Sequence, residues 1–120
     1  MPRRSSSSSG VVFLDRERAL ADVRRAVDTL VARRPGVREV WLFGSLARRT
    51  ATPRSDADLV IVVDQDVRRP MDRLPEFLLM LEGVGRPVDV VVLTAAEWRS
   101  REGTGWRREV MRGIRLHPPV

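Results

Sequence analysis

Two aspartates stand one residue apart at the head of an apolar run, in the stretch SDADLVIVV, and a glycine-serine pair closes the apolar run before it. The acids are Asp56 and Asp58, and the small residues are Gly44 and Ser45. A buried carboxylate without a compensating cation costs free energy, so a strand gains little by starting with two of them. The pattern predicts a site for a metal ion or a phosphate group.

A third acid, Asp89, interrupts the later valine run VDVVVL near its start. If all these residues serve one site, the first two strands must be antiparallel, and the second and third must be parallel and joined by a helical crossover. Because side chains alternate along a strand, Asp56 and Asp58 point to one face, and Asp89 can reach that face from the neighbouring strand. The sequence therefore predicts a mixed sheet with three carboxylates at one end.

Three carboxylates with no histidine or cysteine beside them are hard oxygen ligands, which suit Mg²⁺ better than Zn²⁺. Because Mg²⁺ usually binds one or two carboxylates plus substrate phosphates, one or two such ions would imply a nucleotide substrate. Gly44 then fits a position where the backbone approaches phosphate closely. Ser45 and the amides after it, at the start of a short helix, would supply hydrogen-bond donors.

Each of these residues also has an ordinary structural interpretation. Asp56 could cap a turn, Asp58 could be a surface acid at a strand end, and Asp89 could protect an edge strand from aggregation. Three arginines in and before the intervening loop could contact phosphate or simply be solvated: Arg48, Arg49 and Arg54. The functional interpretation is favoured for the first two acids because they follow the glycine-serine pair and open an apolar strand.

The spacing of apolar residues predicts helices and strands in alternation over the rest of the chain. A first helix starts near Asp15, and a later helix tolerates Pro75 if that residue lies in the first turn. TAAE has the spacing of a capping box, and a further helix surrounds Trp106. The predicted strands are Val37 to Phe43, Ala57 to Val63, Val88 to Leu93 and a short edge strand, IRLH. The fold class is α/β (α+β), with a mixed sheet of three to four strands flanked by helices.

The length of 120 residues fits one domain, with 1-10 as a flexible low-complexity tail and 11-120 as the folded domain. All 22 basic residues are arginine, and the formal net charge of +6 suits anionic partners or, equally, a solvated arginine-rich surface. The absence of cysteine excludes disulfides and thiolate metal sites. No apolar run approaches about 20 residues and no signal-peptide pattern is present, so a cytoplasmic location is expected.

The motif GS, ten intervening residues and DAD, followed by an acid that opens a later strand, resembles the signature of the DNA polymerase β nucleotidyltransferase superfamily. The segments GSLAR and SDADL are similar to those of its minimal nucleotidyltransferase (MNT) branch. The resemblance covers roughly Val37 to Leu93 and, more loosely, the flanking helices and the closing RGIRLH. It implies a polymerase β-like fold, with Arg49 standing where the family usually has glycine.

The resemblance also implies roles for individual residues. Asp56, Asp58 and Asp89 would be the catalytic and metal-binding acids, and Asp89 would also assist deprotonation of the acceptor hydroxyl. The residues that would hold the triphosphate are Gly44, Ser45 and Arg48.

By this resemblance the protein transfers AMP from ATP with Mg²⁺ and releases pyrophosphate. MNT proteins often resemble antitoxins of helical HEPN-type ribonuclease toxins encoded nearby, so a hydroxyl of such a partner is the leading acceptor. The chain has no room for a second substrate domain and no tyrosine, so another subunit is expected to present the acceptor, and a tyrosine acceptor could not be its own.

The alternatives are a homo-oligomeric or partnered enzyme acting on a small hydroxylated molecule such as an aminoglycoside, a non-catalytic binding antitoxin, and a basic RNA-associated module. Direct nucleic-acid binding is not favoured, since no RNA-binding motif is present.

Four apolar residues share the acid-bearing face of the predicted sheet: Val60, Val62, Val91 and Leu93. If helices cover only the opposite face, these residues form an exposed apolar patch suited to a partner.

Overall fold

A mixed sheet organises the protein, whose computed structural model describes residues 3–49 and 56–119, with side chains from Arg16 onward. Its four strands in chain order are β1 (Val37–Phe43), β2 (Ala57–Val63), β3 (Val88–Thr94) and β4 (Ile114–His117). Their spatial order is β3-β2-β1-β4. β1 is antiparallel to both β2 and β4, and β2 is parallel to β3. The predicted strands and pairing directions are confirmed, including the short edge strand β4.

Five helices surround this sheet in the described part of the chain. They are α1 (Arg3–Arg33), α2 (Gly44–Ala47), α3 (Pro70–Met80), α4 (Ala95–Ser100) and α5 (Gly105–Met111), with a 3₁₀ turn over Glu82–Val84. α1 and α3 supply Val23, Leu30 and Phe77 to a core that also contains Leu59 and Ile61 of β2. Because α3 connects β2 to β3, it is the helical crossover that two parallel neighbours require.

The opposite face of the sheet is covered as well. α4 and α5 pack Trp98 and Val110 over Val60, Val62 and Leu93, all of which are buried. The condition for an exposed apolar patch, that helices cover only the opposite face, is therefore not met. The two helices that follow β3 pack on the acid-bearing side, whereas α1 and α3 lie on the other side.

Two helix boundaries differ from the sequence prediction. α1 starts at Arg3 rather than near Asp15, and the division into a tail at 1-10 and a domain at 11-120 stays a prediction. Pro75 lies inside α3 rather than in its first turn, because Pro70 takes the first helical position, where a missing N–H costs nothing. The buried residues Arg73 and Phe77 flank Pro75 and hold this helix against the sheet.

The remaining helix predictions agree with the structure. Thr94 and Glu97 form the predicted capping box at the start of α4, and α5 contains Trp106. The predicted loop TATPRS lies outside the described residues. Over the described chain, no helix has the length and apolar character needed to cross a membrane.

Candidate active site

The three predicted acids are brought to one end of the sheet. Asp58 of β2 and Asp89 of β3 are register partners on adjacent parallel strands, so their side chains leave the same face. Asp56 directly precedes β2. Asp58 is half-buried, whereas Asp56 and Asp89 are exposed. The arrangement matches the predicted meeting of the carboxylates, with one sheltered member and two that solvent and ligands can reach.

The electrostatics of this cluster centre on Asp58. Burial raises the pKa of the Asp58 carboxyl above its ordinary value, and the negative charges of Asp89 and Asp56 raise it further. The positive charge of Arg48 acts in the opposite direction but is the smallest of these influences. The acids therefore form a concentration of negative charge that the surrounding protein compensates only in part.

Gly44 is fixed at its position by the backbone and by Asp58. Its φ of +76° is a conformation that side chains with a Cβ rarely adopt. A Cβ on this residue would also collide with Oδ2 of Asp58. The sequence predicts a close approach of phosphate to this glycine, whereas the close approach in the structure is to the carboxylate of Asp58. Its predicted contact with phosphate stays a prediction.

The short helix α2 begins beside the acids, because Phe43, the last residue of β1, is the register partner of Asp58. Phe43 gives the first turn of α2 no side-chain cap. At the other end of α2, Arg16 of α1 donates from Nε to the carbonyl of Leu46 at 3.1 Å and from Nη2 to the carbonyl of Ala47 at 3.3 Å. These bonds satisfy carbonyls that a helix end leaves unpaired. Sequence reasoning missed this role of Arg16, since the partners are thirty residues apart and no local pattern joins them.

The structure describes two of the three loop arginines. Arg48 donates to Oε2 of Glu109 on α5 at 2.9 Å. Glu109 was not predicted at the site from the sequence. Arg49 has a φ of +66°, a left-handed conformation that glycine adopts more readily than arginine. Arg54 lies outside the described residues.

Aromatic rings fix α5 beside the site. The ring of Trp106 packs edge-on against Phe43, with centroids 6.4 Å apart, and against Trp98 at 6.1 Å. Phe43 lies opposite Asp58, so this cluster ties the helix that carries Glu109 to the strand end that bears the acids.

The donor set can be compared with the needs of a metal ion. Within the described residues, no group of three or more histidine, cysteine, aspartate or glutamate side chains already stands as a metal site. Mg²⁺ does not require such a cage, because it usually keeps several waters and takes one or two carboxylates together with substrate phosphates. Neighbouring oxygen donors with excess negative charge at Asp58 fit that requirement.

Comparisons with known proteins identify the class to which the chain belongs. The family model described as "Nucleotidyltransferase domain" matches residues 22–111. A crystal structure from Sulfolobus solfataricus, provisionally assigned as a nucleotidyltransferase, is similar with a TM-score of 0.57 and 27% identity over 73% of this chain and 78% of that chain. A comparison with curated proteins found no match. Because the family model spans most of the sequence, the chain belongs to the nucleotidyltransferase domain family and is an enzyme of that class.

Proposed function

We propose that the protein transfers AMP from ATP to a hydroxyl group of a partner protein in a Mg²⁺-dependent reaction, as an MNT antitoxin of a HEPN-type toxin. The observation that carries the proposal is the pairing of Asp58 with Asp89 on adjacent strands, with Asp56 just ahead of them and Gly44 against Asp58. These four residues belong to the predicted site, and they meet at one end of the sheet in a chain that matches the nucleotidyltransferase domain family.

In the proposed reaction the acceptor oxygen bonds to the α-phosphorus of ATP as the bond to the bridging oxygen breaks and pyrophosphate leaves. Mg²⁺ bound by Asp56, Asp58 and Asp89 would neutralise the phosphate charge and align the reacting oxygens. Asp89 takes the proton of the acceptor hydroxyl, a role suited to its exposure at the edge strand.

The remaining side chains position the triphosphate. Gly44 and Ser45 lie in the first turn of α2, where backbone amides can donate to the phosphates. Arg48 is exposed and already neighbours Asp58, so its guanidinium can exchange the carboxylate of Glu109 for a phosphate oxygen. Arg16 holds the far end of α2 and thereby keeps these donors in place.

The choice of a protein acceptor rests on the exposure of the acids and on the composition of the sequence. Asp56 and Asp89 are exposed, so a macromolecule can reach them. The 120 residues contain no tyrosine, so a tyrosine acceptor would lie outside them. Both points are compatible with a partner protein that brings its hydroxyl to the exposed acids.

Calorimetric titration with a non-hydrolysable ATP analogue tests the nucleotide site. We expect binding with Mg²⁺ that weakens strongly with EDTA and in Asp58→Asn. Asp64→Asn is the matched control, because Asp64 directly follows β2 at the opposite end, is exposed and pairs with Arg38. Equal binding in Asp58→Asn and Asp64→Asn would overturn the assignment. Steep salt-dependent RNA binding, unchanged by Asp58→Asn and without nucleotide binding, would favour the basic RNA-associated module.

A further inference from the structure

A cavity lies on the same face of the sheet as the acids but at the opposite end of β2. It has a volume of about 660 Å³, and Val62 of β2 contributes to its wall. Asp58 and Val62 are four residues apart on the strand, which places the two sites roughly 13 Å apart at about 3.3 Å per residue. None of the predicted site residues lines this cavity.

The cavity is rich in arginine. Four arginines line it, namely Arg38, Arg99, Arg107 and Arg115. Only two carboxylates, Glu39 and Glu102, line it with them, so the lining carries a net charge of +2. A phosphomonoester carries roughly −1.5 to −2 at pH 7, so the excess has the sign that attracts it.

Two of these guanidinium groups are only partly hydrogen-bonded. The Nε atoms of Arg107 and Arg115 are buried and have no hydrogen-bond partner in the described structure. Arg99 and Arg115 have no carboxylate partner among the residues that the structure describes. Arg107 pairs with Glu102 at 3.4 Å, and Arg38 pairs with Asp64 at 3.2 Å. The positive charges of Arg99 and Arg115, which no described carboxylate neutralises, can be compensated by an oxyanion in the cavity.

The other part of the lining is aromatic and buried. Trp41 and Trp98 are both buried at the cavity wall, and the guanidinium of Arg107 lies over the ring of Trp98 at 4.5 Å from its centroid. Arg115 of β4 is the register partner of Trp41, so their side chains share this face of the sheet. The cavity therefore combines an arginine cluster with an apolar wall and has more volume than a phosphate group fills.

We propose that this cavity binds a small phosphomonoester with a planar or apolar body, of nucleoside monophosphate size. The phosphate would accept hydrogen bonds from Arg99, Arg107 and Arg115, and the body would lie against Trp41 and Trp98. This site is separate from the acids and does not depend on Mg²⁺ or on the proposed transfer reaction.

Calorimetry in EDTA with AMP, adenosine and inorganic phosphate as probes tests the proposal on the full chain. AMP should bind more tightly than phosphate, and adenosine should bind more weakly than AMP. Arg115→Gln and Arg99→Gln should each weaken AMP binding by roughly tenfold to a hundredfold, the usual effect of losing a hydrogen bond to a charged group. Because Arg99 is exposed, Arg99→Gln should fold and can be compared with the wild type even if Arg115→Gln does not fold. Arg69→Gln, at an exposed arginine before α3, is the matched control and should bind AMP like the wild type.

The indole N–H resonances of the tryptophans locate the ligand independently. Trp41 lines this cavity, so its resonance should shift when AMP is added in EDTA, both in the wild type and in Asp58→Asn. No AMP binding, equal binding in the arginine variants and the Arg69→Gln control, or an unshifted Trp41 resonance would overturn the proposal. Tighter binding of phosphate than of AMP would also overturn it, because the apolar wall would then have no role.

Discussion

The two ends of the central strands use carboxylates in opposite ways. At the start of β2, Asp58 faces Asp89, and its pKa is raised by burial and by like charges. Beyond the end of β2, the buried carboxylate of Asp66 accepts hydrogen bonds from Arg68, which hold its pKa well below the ordinary value. The ionised form of aspartate is thus disfavoured at one end and favoured at the other.

The stabilised end is built around Arg73, which is only 2% exposed. Its guanidinium donates to the carbonyls of Asp66 and Val92 and to the carboxylate of Glu97 at 2.7 Å. These bonds join α3 to the end of β3 and to α4. Paired acids here support the fold, whereas the acids at the other end have no ion-pair partner among the described residues and retain free energy that a ligand can recover.

The largest expected effect comes from removing the centre of the stabilised end. Arg73→Met should lower the free energy of unfolding by about 3–5 kcal/mol, because buried carboxylate and carbonyl groups lose their donor. Urea denaturation measures this loss. The control is Arg69→Met, whose exposed ion pair with Asp72 should contribute less than about 1 kcal/mol. Equal stability of the two variants would contradict the role given to Arg73.

Acidification should weaken the same end. The hydrogen bond from Arg73 lowers the pKa of Glu97 from 4.5 to about 2. A carboxyl with a lowered pKa in the folded state stabilises the protein above its unfolded pKa, and this contribution is lost as the pH falls through the folded value. The melting temperature should therefore fall between pH 4.5 and 2, and it should fall less in Glu97→Gln. The same pH dependence in both proteins would show that Glu97 does not contribute.

Matched substitutions at the two ends should change stability in opposite directions. Asp66→Asn should cost about 1.5–3 kcal/mol, because its charge-assisted bonds to Arg68 are lost. Asp58→Asn should instead stabilise the metal-free protein by a few tenths to about 1 kcal/mol, the usual range for like charges on neighbouring strands. Denaturation at pH 7 in EDTA measures both. A destabilised Asp58→Asn would remove the contrast between the two ends.

Gly44→Ala tests how tightly the acid end is packed. A Cβ at φ +76° should cost about 1–2 kcal/mol from the backbone alone, and its collision with Asp58 should displace that carboxylate. Gly83→Ala is the matched control, because a Cβ there meets no atom and the backbone is ordinary. Unchanged unfolding in Gly44→Ala would show that the acid end accommodates the methyl group.

The smallest effect is expected at the loop that follows α2. Arg49→Gly should raise the free energy of unfolding by about 0.5–1 kcal/mol, because glycine removes the cost of the left-handed conformation. The melting temperature should rise slightly with it. Arg18→Gly, at an exposed position inside α1, should lower it by a similar amount. A loss of stability in Arg49→Gly would show that the arginine side chain holds this loop.

Most of the sheet could be predicted from the sequence because its signals are local. The apolar runs that became β1, β2 and β3 end at glycine, at acids or at a capping threonine, and each covers the predicted span to within one residue. The position of Asp58 beside Asp89 followed from strand alternation together with the parallel crossover. These arguments need only neighbours along the chain and one assumption about pairing.

The contacts that sequence reasoning missed depend on tertiary packing. The bonds from Arg16 to α2, the pairing of Arg48 with Glu109 and the burial of Arg73 each join distant segments. The covering of Val60 and Val62 by α4 and α5 depends on which face two helices choose. No periodicity or capping signal in the chain specifies that choice.

The most direct test of the central claim is intact-mass spectrometry of the neighbouring gene's product after incubation with this protein, Mg²⁺ and ATP. We predict that the partner gains the mass of AMP with the wild type and with Asp64→Asn, and gains none with Asp58→Asn. A stable complex without added mass would contradict transfer to the partner and favour inhibition by binding. Added mass with Asp58→Asn would contradict the assignment of the acids as the catalytic site.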